Sequence, residues 1–211
     1  MHGERPARSS ATRGVRDATA DRMPDVLVKF SWEIEFIDTD DDADLDLLVS
    51  SKRSPGSFLF ENDGKGFFRD VSKARLPQYT NNYEFEAMDI TGDGRLDLVT
   101  INDGTREGAG RFTEHLWAGD GAGGFVDRTA ELWPKDANPA HDDNMIAFLD
   151  FDSDGDADFL IGSLDGPDRV LENDGKGKLT LRTKIFAGSA TPATLALALA
   201  DLDGDGRLDC V

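Results

Sequence analysis

Only one cysteine, Cys210, occurs in this 211-residue chain, and it stands next to the last residue. No intrachain disulfide can form, and cysteine usage leaves the redox compartment unreported. No apolar run approaches the ~20 residues of a membrane-spanning helix. The first fifteen residues carry Arg5, Arg8 and Arg13 but no apolar stretch, so they do not read as a secretory signal peptide; residues 1–16 are expected to be disordered or mis-assigned. Positive charge is scarce as well: 23 Lys and Arg face 42 Asp and Glu, a formal net charge of −19. Nucleic acid and anionic membrane surfaces would repel such a chain. Histidine is limited to His2, His115 and His141. No Ser-His-Asp or Cys-His spacing stands out, so the chain reads as non-enzymatic, with His115 placed mid-strand and His141 in a linker.

What is present in quantity is aspartate at regular spacing. Four acidic nonapeptides begin at residues 38, 89, 150 and 201. They are Asp38-Thr39-Asp40-Asp41-Asp42-Ala43-Asp44-Leu45-Asp46, Asp89-Ile90-Thr91-Gly92-Asp93-Gly94-Arg95-Leu96-Asp97, Asp150-Phe151-Asp152-Ser153-Asp154-Gly155-Asp156-Ala157-Asp158 and Asp201-Leu202-Asp203-Gly204-Asp205-Gly206-Arg207-Leu208-Asp209. Alternating oxygen ligands, a Gly at the sharp turn and a further carboxylate beyond it are what a hard, six-to-eight-coordinate cation such as Ca²⁺ requires. Side chains at positions one, three, five and nine would converge with the backbone carbonyl of position seven, which is Asp44, Arg95, Asp156 or Arg207. Up to four Ca²⁺ ions are expected.

The third and fourth loops have Asp at all four side-chain positions and Gly at position six. They rank highest. Thr91 brings a neutral hydroxyl to position three of the second loop. In the first, Ala43 replaces Gly, and a strained or differently shaped turn is expected there. An EF-hand would need Glu at position twelve between helices; here that position is Val49, Thr100 or Ile161, flanked by strands.

The period around the loops is 51 to 61 residues, close to a propeller blade. Apolar residues sit four and two positions before each first Asp: Ile34 and Phe36, Phe85 and Ala87, Ile146 and Phe148, Leu197 and Leu199. Period two predicts a strand. Aliphatic runs after the loops, Leu45 to Val49, Leu96 to Ile101 and Ala157 to Ile161, predict a second. A third spans Phe58 to Phe60, His115 to Trp117 or Arg169 to Leu171. It leads into Asn62-Asp63-Gly64-Lys65-Gly66, Gly119-Asp120-Gly121-Ala122-Gly123 or Asn173-Asp174-Gly175-Lys176-Gly177, tight-hairpin sequences. A fourth strand starts at Phe67, Gly124 or Lys178.

Four hairpin-linked strands per period predict an all-β chain of four-stranded antiparallel β-propeller blades. Blade exits share D-x-[ST]-x-x-x-x-P, at Asp70 to Pro77 and Asp127 to Pro134. The same pattern at Asp17 to Pro24 marks the tail of an earlier blade. In the third blade Leu181 takes the Asp position and no Pro follows in place. The expected organisation is a blade tail at 17–24, blades at about 30–77, 82–134 and 143–186, and the start of a fourth at 194–211. Seven blades, within the usual range of 4–8, would need roughly 385 residues. The chain is therefore expected to be part of a ring that missing blades, or less readily a second chain, would complete.

On the loops and on the Asn62 to Ser72 stretch, which reads N-D-G-x-G-x-F-x-D-V-[ST], the chain resembles the FG-GAP/VCBS repeat family of integrin-α-type propellers, in its bacterial UnbV-like branch. The resemblance covers Asp17 to Val211, without the literal FG and GAP signatures of integrins. It implies a Ca²⁺-stabilised propeller on a secreted, cell-surface or periplasmic protein, serving adhesion or binding of a protein or glycan. The enzyme-class alternative is the propeller portion of a polysaccharide lyase or similar extracellular enzyme; a spacer in a surface protein is the structural one. Finally, Glu33 and Glu35 align with Glu84 and Glu86, where later repeats have Met145/Ala147 and Ala196/Ala198. Solvent-facing strand residues or a further cation or basic-ligand site are the two readings of that row.

Overall fold

The computed structural model describes residues 14–52, 56–79, 81–102, 113–185 and 193–211. The break residues Ser54 and Pro55, and residues 1–13 of the N-terminal segment, lie outside the described residues. The chain is all-β. Three four-stranded antiparallel sheets follow one another, each in simple sequence order, and a two-stranded hairpin comes after them.

Blade 1 consists of β1 (Ser31–Ile37), β2 (Asp46–Ser51), β3 (Phe58–Asn62) and β4 (Phe68–Asp70). Blade 2 has β5 (Asn82–Met88), β6 (Asp97–Asn102), β7 (His115–Gly119) and β8 (Phe125–Asp127). Blade 3 has β9 (Asp143–Leu149), β10 (Asp158–Ser163), β11 (Arg169–Asn173) and β12 (Leu179–Arg182). The fourth repeat contributes β13 (Leu199–Ala200) and β14 (Asp209–Cys210). Each third strand runs two residues beyond its expected end, because the Asn or Gly that opens the following turn still pairs across the hairpin. Asn62 faces Phe68, Gly119 faces Phe125 and Asn173 faces Leu179. His115, expected mid-strand, is instead the first residue of β7.

The blades pack face to face through two apolar clusters. Ile37, Leu48, Leu59, Val71 and Leu76 of blade 1 meet Phe85, Leu98, Trp117 and Phe125 of blade 2. Val99, Ile101, Leu116, Leu132 and Trp133 of blade 2 meet Ile146, Phe159, Ile161, Leu171 and Leu179 of blade 3. Alternation along each strand thus gives one face to the preceding blade and one to the following blade. Full burial of each such side chain contributes about 1.5–3 kcal/mol.

The exits between blades have a physical reason for their D-x-[ST] pattern. Asp70 and Asp127 accept the backbone N–H two residues on, opening the single-turn helices α2 (Ser72–Arg75) and α3 (Thr129–Leu132). The hydroxyls of Ser72 and Thr129 accept the N–H of Leu59 and Leu116, pinning each turn to its own third strand. Asp17 caps Thr19 in the same way before α1 (Thr19–Arg22). Met23, aligned with Leu76 and Trp133, packs with Val28 on the outer-facing cluster Val49, Phe58 and Phe60 of blade 1. The pattern therefore lays an exit segment over the face of the next blade.

That face of blade 1 is only partly covered. Ile34 and Phe36 are 62% and 58% exposed, whereas Phe85 and Ile146, aligned with Ile34, are 2% and 4% exposed under a neighbouring blade. The sheets do not close into a ring among the described residues.

Candidate metal centres

Every acidic nonapeptide forms the hairpin between the first and second strands of its repeat. Its first Asp folds back on the loop. Asp89 accepts N–H groups from Asp93 and Gly94, Asp38 from Asp42 and Ala43, and Asp201 from Gly204, Asp205 and Gly206; Asp150 accepts from Asp154. The fifth-position Asp42, Asp93, Asp154 and Asp205 each accept the N–H of position seven. These bonds curl the backbone around the carboxylates and leave lone pairs inward.

Position six is left-handed in all four loops, with φ of 69° at Ala43, 85° at Gly94, 96° at Gly155 and 86° at Gly206. Ala43 thus adopts the same turn as the glycines rather than a differently shaped one, at a cost near 1–2 kcal/mol for its Cβ. Position four is left-handed too, at Asp41, Gly92, Ser153 and Gly204. Sequence reasoning missed this second site because only two of its four residues are glycine.

Position nine has a second task. Asp46, Asp97 and Asp158 are buried, and each accepts the N–H of position two with one oxygen and the N–H of Asn62, Gly119 or Asn173 with the other. Asp209 accepts the N–H of Leu202. This carboxylate therefore fastens the loop to the far end of the third strand. The seventh-position side chains of Asp44, Arg95 and Asp156 lie against Gly64, Gly121 and Gly175 in the turn of their own blade.

Carboxylate oxygens of Asp38, Asp40 and Asp42, of Asp150, Asp152 and Asp158, and of Asp201, Asp203 and Asp209 lie within 4.8 Å of one another. Ligands on one Ca²⁺ at 2.3–2.6 Å can be that far apart, so the three sets fit such an ion. In loops three and four, positions one, three and nine meet. In loop one, position five replaces nine, because Asp46 is held by the N–H and hydroxyl of Thr39.

No such trio forms in the second loop among the described residues. Each of the three trios includes the Asp of position three, and the second loop has Thr91 there instead, its buried hydroxyl without a hydrogen-bond partner. A neighbouring cation also bears on loop one: Arg75 lies 3.5 Å from Asp40 and 2.8 Å from Glu61.

Crowding marks the loops electrostatically. Burial, then Asp154, Asp158, Asp152 and Asp150, push Asp156 up to about 6. Burial and the neighbours Asp42 and Asp46 raise Asp40 against the pull of Arg75. A divalent cation would reverse these directions by supplying the missing positive charge.

The Glu row also comes together. The N–H of Phe85 donates to Glu33 at 2.6 Å, which draws the β1 and β5 carboxylates to one edge. Burial, opposed by that bond and aided by Glu84 and Glu86, pushes Glu33 up to about 7. Glu35 and Glu86 rise to about 7 for the same first reason, with Glu33 acting on Glu35 and Glu84 and Glu35 acting on Glu86. These residues are half-buried rather than freely solvated.

Of the two histidines among the described residues, His141 Nδ1 lies 3.2 Å from Asp165 at the surface. His115 stacks on Tyr79, with ring centroids 4.1 Å apart, and lines a cavity of about 500 Å³ with Thr113, Asp127, Leu132 and Lys178. Its Nδ1 is 3.9 Å from the Asp127 carboxylate, which accepts the Tyr79 hydroxyl at 2.6 Å.

Successive four-stranded blades, each led by an acidic hairpin and joined through a capped exit, define a propeller-type repeat protein. The chain belongs to the FG-GAP-like repeat family, whose pattern matches residues 38–100 and 150–211, more than half of its length. No curated protein matches the chain by sequence. Among the described residues, no helix is long and apolar enough to cross a membrane.

Proposed function

We propose that the chain is a Ca²⁺-stabilised, non-enzymatic binding module of an extracellular protein, in which ions rigidify the first hairpins and the loops present a surface to a protein or glycan. The observation that carries the reading is the convergence of three aspartates within 4.8 Å in each of three loops. The first two loops lie against the turn of the following blade: a Cβ on Gly123 would come within 2.9 Å of Asp40, and one on Gly177 within 3.1 Å of Thr91. An ion that stiffens a loop therefore also stiffens a seam. The family resemblance supports Ca²⁺ and an extracellular setting, and the exposed Ile34 and Phe36 support a further blade, from the same or another chain, as the neighbour of blade 1.

The test is thermal unfolding in excess chelator and in millimolar Ca²⁺, on the wild type and on Asp152→Asn. Asp152 is exposed and accepts one internal bond, from the Asp154 N–H, which an amide oxygen retains. Ca²⁺ is expected to raise the wild-type midpoint, and the variant to need a higher Ca²⁺ concentration for the same rise. Identical midpoints with and without Ca²⁺ in the wild type would defeat the proposal.

A further inference from the structure

The seams between blades share a polar position that the repeat alone does not explain. In each, the residue just before the third strand of one blade meets the residue seven positions ahead of the next blade's acidic loop. Asn82 Nδ2 donates to Ser57 at 3.0 Å in the first seam. In the third, Thr194 Oγ1 donates to Asp168 at 2.8 Å. The equivalent pair in the second seam is Glu114 and Asp143, two carboxyl groups.

Both are fully buried. Asp143 is gripped by the two terminal nitrogens of Arg169, Nη1 at 3.2 Å, in a forked ion pair. Glu114 is fixed through its backbone: its N–H donates to Asn138 Oδ1 at 3.1 Å, and its carbonyl accepts from Asn138 Nδ2 at 2.9 Å. Its own carboxyl oxygens receive no N–H or hydroxyl donor, and the seam register sets Glu114 against Asp143 as it sets Ser57 against Asn82 and Asp168 against Thr194. Two ionised carboxylates are acceptors only and cannot bond to each other. The charged groups acting on Glu114 among the described residues are Asp143 of β9 and Arg169 of β11, one anion and one cation already paired. An ionised Glu114 would leave an uncompensated buried charge.

We propose that Glu114 carries a proton and donates it to Asp143, so that an acid–carboxylate–guanidinium lock joins blades 2 and 3. Burial and Asp143 both raise Glu114 far above the ordinary carboxylate range, while Arg169 opposes them. The folded chain therefore binds a proton that the unfolded chain releases above about 4.3, the usual Glu value. The lock's contribution is complete below that pH and falls as pH rises, tenfold in the folding constant per pH unit for one proton, until the folded-state acid itself ionises.

The test uses the full chain at constant saturating Ca²⁺. Denaturant unfolding of the wild type and Glu114→Gln is compared between pH 5 and 9. The ratio of folding constants, variant over wild type, is expected to grow with pH, because Gln keeps a neutral donor to Asp143 at every pH. A ratio that falls with pH would mean an ionised Glu114 paired with Arg169 and would overturn the lock.

Should Glu114→Gln fail to fold, difference infrared spectroscopy of the wild type on raising the pH from neutral carries the test alone. A protonated-carboxyl C=O stretch from a buried acid, assigned with Asp143→Asn, in which Glu114 is freed to ionise against Arg169, is the expected signature. Its absence at neutral pH overturns the proposal.

Discussion

The seam between blades 1 and 2 and the seam between blades 2 and 3 use the same repeat positions but hold their ionisable groups at opposite depths. In the first, the buried polar position is neutral, Ser57 with Asn82, and the carboxylates gather at the strand edge as Glu33, Glu35, Glu84 and Glu86. The second reverses this. Its edge positions are Met145 and Ala147, and its charges are the buried Arg169, Asp143 and Glu114. The shared apolar stripe sets the geometry of packing, and the polar residues distinguish one neighbour from another. Depth then decides behaviour: partial burial raises the edge carboxylates above their ordinary range, while a core carboxyl holds its proton.

The largest effect that would sharpen the comparison is a cavity in either apolar cluster. Phe85→Ala and Phe159→Ala should each cost about 3–5 kcal/mol by urea denaturation. Ile34→Ala, at the position aligned with Phe85 but exposed, should cost about 0.5 kcal/mol or less. Equal losses at Ile34 and Phe85 would show that the face of blade 1 is covered in solution.

Next come the polar positions. Arg169→Ala should destabilise by about 3–5 kcal/mol, because Asp143 is left buried without its cation. Asn82→Ala in the other seam should cost about 1–3 kcal/mol, the penalty of an unsatisfied neutral group.

A smaller effect separates the edges. Glu35 and Glu86, both pushed up to about 7, bind protons more tightly folded than unfolded, so stability falls as pH rises from about 4.5 to about 7. Glu35→Gln with Glu86→Gln should flatten that fall by about 1 kcal/mol per site once solvent screening is allowed for. An unchanged pH profile in calorimetric melts would remove the edge row from the account.

The smallest effect tests backbone alone. A Cβ on Gly94 meets no atom within 4 Å, so Gly94→Ala should lose about 1 kcal/mol through its left-handed φ, and Ala43→Gly should gain up to the same amount. Chemical denaturation reads both.

Much of this was legible in the residues. Alternation at Ile34/Phe36 and Phe85/Ala87 located the strands, and Asp-Gly turns such as Asp63-Gly64 located the hairpins, because both depend on neighbours close in sequence. The loops were visible for the same reason. What was not legible depends on contacts that no local pattern encodes. The left-handed fourth position is hidden behind Asp41 and Ser153, and the grip of Asp158 on the Asn173 N–H spans two strands. The seam position was within reach: Ser31, Asn82, Asp143 and Thr194 are all short polar residues at one offset from the loops. Their partners, Ser57, Glu114 and Asp168, differ in chemistry and sit in the preceding repeat, so spacing within a repeat could not pair them.

Isothermal titration of the chelated chain with Ca²⁺ tests the central claim most directly. The account predicts saturable binding of two or more ions per chain, with the loops at Asp150 and Asp201 among those filled and Asp152→Asn with Asp203→Asn lowering the stoichiometry. Titration without binding heat, on protein shown to be folded by its β-sheet circular dichroism, would contradict it.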